Sequence, residues 1–386
     1  GDALDKALWN LSIILGRTMH ETKESYDYLE RYAKGEKKHV LLNIIHSLGK
    51  RVEEEVGSRE NELQITFTPS LQDILGNQSY RRRWADDIKK KLNALGLQSR
   101  PLHIISANMH SVLNLIYGYG ALYGLSRARA DMDVYDFVTK TKNEADTIKA
   151  YAEVRGFYDL PDRSGTHIDC QIIDTAKIKG IPFHPDLKIS TECPTDEAPV
   201  IFVMDYAFGP QPFEAMTDLL DPFKDKESSS RYDIRSISVM GKAGILNGKK
   251  GDIMLATSHV FEGTSDNYIF DSDIGREDFT TDIPVYVGPV VTVVGTSLQN
   301  RDLLRRFQAS SWKAIGLEME GGHYQKAISA AMIRGHIRKD VKLRYAYYAS
   351  DNPLVSGQTL ASGSMGEEGI KPTYMITKVI LEKILC

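Results

Sequence analysis

The chain is short of cysteine: Cys170, Cys193 and Cys386 are the whole complement of its 386 residues. Three thiols without metal-like spacing, which cannot all pair with one another, make neither a disulfide framework nor a zinc cluster. They read as free thiols in a reducing compartment. Positive charge is not in excess either. With 48 Lys and Arg against 52 Asp and Glu, the formal charge of −4 leaves nothing to neutralise a phosphate backbone, so nucleic acid is not an expected partner. Long apolar runs are missing. The most apolar stretch, 283–298, is broken by Pro284, Gly288, Pro289 and Gly295 and is too short to span a bilayer, so no membrane partner is expected. The first residues, Gly1-Asp2-Ala3-Leu4, show no basic region leading into an apolar core, so a cytoplasmic protein is expected. Neither a metal cluster nor a cofactor motif stands out, and there is no internal repeat or low-complexity tract.

What is present is ordinary globular composition, 42% hydrophobic and 26% charged, at a length that accommodates two domains. Residues 1 to about 155 read as helix after helix. Leu4, Leu8, Leu11 and Leu15 fall at helical spacing, as do Val40, Leu41, Ile44, Ile45, Leu48 and Val52. Glu53 to Glu55 and Arg81-Arg82-Arg83 read as solvated faces, with Trp84 beside the arginines hinting at a stacking surface. A β-branched run leads into Ser106, read as the N-cap of the next helix, and His103, Asn108 and His110 gather around that turn. They are either structural residues or this region's contribution to a site. The pattern breaks between Gly156 and Gly165, at Pro161, Asp162, Arg163 and Ser164. That break divides the chain into an all-α domain, 1–160, and a second domain, 161–386.

In the second domain strands are expected at 167–173, 200–204, 234–240, 252–256, 285–295 and 343–349. Helices fall between several of them, at 213–220, 300–307 and 322–333, and a terminal helix runs over 372–386. Such alternation predicts a largely parallel or mixed sheet covered on both faces. The charged stretch 222–233 reads as a surface loop.

Two stretches carry the chemistry. Gly316-Leu317-Glu318-Met319-Glu320-Gly321-Gly322 opens a helix through Ile333, and Leu343 to Ala349 is an apolar strand ending in Ser350-Asp351. Strand ends and helix starts collect ligand groups in open α/β sheets. Two carboxylates there suit acid/base work on a small molecule; the plainer alternative is a capping Glu and a turn Asp. Three further pieces follow strands: Tyr206-Ala207-Phe208-Gly209-Pro210, the glycine turn Gly241-Lys242-Ala243-Gly244 with its cation, and the polar loop Phe261 to Tyr268. A turn such as the first can offer backbone N–H groups to an anion or a water.

In order, the Gly209 loop, Gly241-Lys242-Ala243-Gly244, Lys250-Gly251-Asp252-Ile253, Glu318-Met319-Glu320 and Ser350-Asp351 resemble the purine nucleoside phosphorylase and nucleosidase superfamily. Within it, Gly241 to Gly244, Glu262-Gly263-Thr264-Ser265 and Ser350-Asp351-Asn352-Pro353-Leu354 look most like the AMP nucleosidases. The resemblance covers roughly residues 165–386 and leaves the helical region unexplained. It implies a nucleoside phosphorylase-like mixed α/β sheet flanked by helices, and a homo-oligomer. It makes Asp351 the acid that protonates a purine ring nitrogen, and Glu320 the binder of the ribose hydroxyls, with Met319 against the sugar. Gly209, Lys242 and Gly244 would line the nucleophile side, with Phe261 and Tyr268 as walls; Glu318 and Ser350 complete the substrate-binding set.

The chain departs from the resemblance where phosphorylases place arginines around phosphate. Pro210-Gln211-Pro212-Phe213 and Ser238-Val239-Met240 hold none, and Lys242 alone supplies charge. That favours water over phosphate as nucleophile. The first strand offers only Asp174 as a base, and Gly321-Gly322-His323 stands where small Ser or Ala residues are common. The expected activity is hydrolysis of the N-glycosidic bond of a purine nucleotide or nucleoside, AMP first. The alternatives are a phosphate-dependent phosphorylase, and a purine-nucleotide-binding regulatory protein without turnover.

Overall fold

The structure, a computed structural model, describes residues 2–15, 18–33, 46–47, 50, 54, 79–123, 132–224, 229–293, 300–355 and 367–385. Among the described residues the helices α1 (Asp2–Leu15), α2 (Met19–Ala33) and α3 (Ser79–Ala94) come before the first strand. Then follow β1 (Leu102–Ser106), α4 (Met109–Leu113), a π-helical turn (Asn114–Gly118), α5 (Tyr119–Tyr123), α6 (Val134–Lys140) and α7 (Ala145–Glu153). The chain continues through β2 (Phe157–Leu160), β3 (Cys170–Asp174), β4 (Val200–Met204), α8 (Gln211–Leu220) and a small ribbon, β5 (Phe223–Lys224) with β6 (Ser229–Ser230). The remainder is β7 (Ile234–Ile245), β8 (Ile253–Phe261), β9 (Asn267–Ile269), β10 (Val285–Thr292), α9 (Arg301–Ala309), β11 (Gly316–Glu318), α10 (Gly321–Ile333), β12 (Lys342–Asp351) and α11 (Glu367–Ile384).

Ten strands form one mixed sheet in the order β11-β10-β8-β12-β7-β1-β4-β3-β2, with β9 paired to β8. Strand β11 pairs with β10 and also with the far end of β7, so β7, β12, β8, β10 and β11 close into a small barrel. Strands β4, β1, β7 and β12 run parallel, so their C-terminal ends share one edge. Val200 to Met204 is apolar at every position and buried at every position, the pattern of a strand covered on both faces. The alternation of side chains shows on neighbouring strands. Ile104, Phe202 and Tyr345 face a layer that includes Trp84, Met216 and Ile328, from α3, α8 and α10. Ile105, Val203 and Ala346 face the opposite layer, with Leu115, Phe137 and Ile380 from the π-helical turn, α6 and α11.

Several expectations change. The all-helical domain over 1–160 is not what these residues form: β1 lies in mid-sheet between β7 and β4, and β2 makes the outer edge against β3. A five-residue strand between amphipathic helices carries too little periodicity to stand out. The break at 161–165 lies between the outer strand β2 and its antiparallel neighbour β3 instead of between two domains. Ser106 ends β1 and bonds the Tyr324 hydroxyl; the N-cap is Asn108, which accepts the His110 N–H. Trp84 is 3% exposed and donates to the Ile168 carbonyl, so it is core instead of a stacking surface. Arg81 pairs with Glu214 at 2.6 Å in a largely buried contact, not on a solvated face. Leu8 is buried while Leu4 is exposed. The stripe from Val40 to Val52, Glu53 and Glu55, and Cys386 lie outside the described residues. Cys170 and Cys193 are free, and no described helix is long and apolar enough to cross a membrane.

Candidate active site

The edge where β1, β4, β7 and β12 end together is where an open parallel sheet presents ligand groups, and most of the expected residues lie along it. Glycines 241 and 244 do not form a turn. Residues 241–245 continue β7, because β12 takes its hydrogen bonds on one side and β11 on the other: Tyr347 registers with Gly241, and both Asp351 and Leu317 with Gly244. Gly244 is thus barrel wall. Lys242, two residues before it, is exposed, and its charge acts on both Glu320 and Asp351.

Asp351 ends β12 and is 3% exposed. Its Oδ1 accepts from the Ser350 hydroxyl at 2.7 Å, while its buried Oδ2 has no hydrogen-bond partner in the protein. Burial pushes its carboxyl above the usual value, against the Ser350 hydrogen bond and the charges of Lys242 and Lys250. This is a carboxyl disposed to hold a proton with one oxygen free to present it.

Glu318 and Glu320 divide their roles. Glu318, 3% exposed, closes β11 and caps α10. It accepts the Thr292 hydroxyl at 2.5 Å and the backbone N–H groups of Glu320 and Gly321. Burial works to raise its carboxyl, but His259, Thr292 and the Gly321 N–H outweigh it, so Glu318 sits below the usual carboxylate range and is ionised. Glu320 is half-buried and accepts the Gly209 N–H at 3.0 Å and the Met319 N–H at 3.2 Å. Its own burial, then the charge of Glu318, push its carboxyl up to about 8. Two adjacent carboxyls whose environments drive their affinities for the proton apart form an acid/base pair with assigned roles.

Gly209 has φ of +55°, a left-handed conformation that glycine adopts without penalty, and this turn aims its N–H at Glu320. Met319 packs against the small cluster of Leu246, Val291 and Leu317. Phe261 closes β8 with its ring edge-on to Tyr268 at 6.1 Å and to His323 at 5.0 Å. The expected polar loop is therefore a tight β8–β9 hairpin with Tyr268 on its second strand. His323, in the first turn of α10, lies against Phe261.

Residues 31–123 and 131–386 match a family described as one of unknown function, DUF6909. The chain belongs to that family. No match was found among curated proteins. Solved structures with a similar chain arrangement include the futalosine hydrolase of Helicobacter pylori strain 26695, 12% identical over 74% of this chain and 97% of that one, at a TM-score of 0.40. Another is the 5'-methylthioadenosine/S-adenosyl homocysteine nucleosidase of Campylobacter jejuni, at 9%, 73%, 96% and 0.40 on the same measures. A third is a uridine phosphorylase of Schistosoma mansoni, at 10%, 83%, 100% and 0.42.

Asp174, the only base the first strand offered, lies at the wrong end of the sheet. It pairs with Val200 at the start of β4, whereas the site sits beyond Met204, and its Oδ1 is bound to Arg100 at 2.6 Å. His103 lies at that same far end, bonded to Ser236 beside Arg344. At the site's own end, the half-buried Asp205 follows β4, and its carboxyl is raised by burial. Sequence reasoning passed over Asp205, His259, Thr292 and Tyr347. The available signal for His259 was a lone imidazole inside an apolar run, Val260 and Phe261 following it; the others had none short of knowing which strands adjoin.

Proposed function

We propose that the chain hydrolyses the N-glycosidic bond of a purine nucleotide or nucleoside, AMP being the first substrate to try. The observation that carries this reading is Asp351: a buried, proton-holding carboxyl with Oδ1 fixed by Ser350 and Oδ2 unpartnered. Such an acid can donate to a ring nitrogen of the base and turn it into a stable leaving group. The sugar, losing that bond, becomes cationic at its anomeric carbon. Glu320 then meets the ribose hydroxyls, while the standing negative charge next to it, on Glu318, stabilises the cation. Phe261 and Tyr268 supply aromatic walls, Met319 lies against the sugar, and Lys242 and Gly209 stand on the nucleophile side.

Water is favoured over phosphate because, among the described residues, the partly buried Arg81 and the buried Arg100 and Arg344 are committed elsewhere: to Glu214, Asp174 and Asp273 respectively. Asp205 is the base that takes the water's proton. It shares a loop with Gly209, and its charge and that of Glu320 both act on Tyr324.

The test is chromatographic detection of free base after incubation with AMP, adenosine, inosine and methylthioadenosine, each with and without phosphate. Base released without phosphate supports hydrolysis. Release only with phosphate makes the chain a phosphorylase, and no release from any of the four by folded protein defeats the reading in favour of a nucleotide-binding protein.

A further inference from the structure

His259 is 0% exposed, and neither ring nitrogen has a hydrogen-bond partner within ordinary geometry. A buried polar group of this kind calls for a reason. Its Nδ1 faces Glu318 Oε1 at 3.5 Å, a few tenths of an ångström beyond the usual range. The imidazole is held in place by rings: Phe270 stacks on it at 5.6 Å, Tyr345 meets it edge-on at 4.7 Å, and Tyr347 stands perpendicular at 6.4 Å. Tyr347, His259 and Glu318 converge on the first residue of α10. A methyl carbon built on Gly321 would fall 2.2 Å from Tyr347 Oη, 2.5 Å from His259 Cε1 and 3.1 Å from Glu318 Cδ.

We propose that His259 is a positioning residue of the site: with a proton on Nδ1, it holds Glu318 as an anion behind Glu320, so that Glu320 carries the carboxyl proton that meets the sugar. This rests on the glycosidic reading above for its purpose, though not for its physics. The groups facing the pair are few. Glu318 meets Thr292 from β10, His259 from β8 and the α10 N–H groups. Glu320 faces Lys242 from β7, Tyr347 from β12, Tyr324 from α10 and Gly209 from the β4 loop. The aromatic hydroxyls stay protonated, because burial raises Tyr345 and Tyr347 far above their usual value. That leaves His259 and Thr292 as the side chains that favour the ionised form of Glu318, while Lys242 acts on Glu320.

The experiment is NMR on the full chain, with no substrate needed. Histidine ring 15N shifts in the wild-type protein should show a proton on Nδ1 of His259, slow to exchange. Side-chain 13C signals of labelled glutamate, assigned with Glu320→Gln, should show Glu318 ionised and Glu320 protonated at neutral pH. In His259→Phe, Glu318 should titrate at higher pH, and the Glu320 titration should move down by about one unit or more. His259→Gln, which keeps an N–H donor, should restore part of both shifts. An Nε2–H tautomer in the wild type overturns the proposal, and so does a folded His259→Phe whose two glutamates titrate unchanged. The wild-type measurement decides the matter even if the variant does not fold. Failure to release any base would sink the proposed activity and leave these NMR outcomes standing.

Discussion

Replacing Thr292 with Val keeps the shape of the side chain and deletes one hydroxyl. That hydroxyl donates to Glu318 Oε1 at 2.5 Å and accepts the Gly322 N–H at 3.0 Å, and the residue is 2% exposed. A hydrogen bond to a charged group contributes about 1.5–3 kcal/mol, and an orphaned buried N–H costs about 1–3 kcal/mol. Both losses fall on one turn and are not fully additive, so the expected destabilisation is about 3 kcal/mol. The pH dependence follows from Glu318. Its carboxyl is held below the ordinary value of 4.5 despite its burial. Contacts to its charged form therefore stabilise the fold above 4.5, and that contribution is lost as pH falls through the native value. The Thr292→Val deficit should be largest near neutrality and shrink in acid. Denaturant unfolding at both conditions reads it. A neutral-pH deficit below about 0.5 kcal/mol, the range of ordinary surface changes, or one that grows toward acid, would refute the capping role given to Glu318.

Other outcomes follow from the same geometry. Gly321→Ala pushes a methyl group into the Tyr347 hydroxyl and the His259 ring. It should cost about 1–3 kcal/mol or more, read as a fall in Tm; an unchanged Tm contradicts the packing described. Arg344→Met strips Asp273, Ser236 and Ser238 of a partner that is 2% exposed. The expected loss is about 3 kcal/mol, with base release per folded molecule unchanged because Arg344 lies at the opposite end of its strand from Asp351. Glu320, pushed to about 8 by burial and by Glu318, keeps a proton that the unfolded chain releases near 4.5, so stability should decline as pH rises between these values. Glu320→Gln should remove that decline in a series of melts across pH; a variant that keeps it would contradict the assignment.

The second half of the chain was legible because its signals are local. Val200 to Met204 is a buried apolar strand with the expected bounds, and the helices at 211–220, 301–309 and 321–333 lie where their periodicity put them. The carboxylates were visible because Glu320 and Asp351 sit at changes of secondary structure, where side chains leave the core. What was hidden depends on pairing across sequence. β1 is short and flanked by helical stripes, and only its partners β4 and β7, about a hundred residues and more away, make it a central strand. The glycines of β7 read as a turn because nothing in Gly241-Lys242-Ala243-Gly244 reveals that β11 and β12 are both waiting for its backbone. Asp174 looked like a base for the same reason: its strand is antiparallel to β4, and direction is not written in the strand itself.

The central claim is that Asp351 supplies the proton to the departing base. It is tested most directly by comparing the wild type with Asp351→Asn, in a phosphate-free assay of base release from AMP near neutral pH. The amide keeps the size of the side chain and can still meet Ser350, but it has no acidic proton. A rate lower by about 10²- to 10⁴-fold, the usual worth of a general acid, with an unchanged Tm, is the predicted result. Wild-type turnover by a folded Asp351→Asn protein would contradict it.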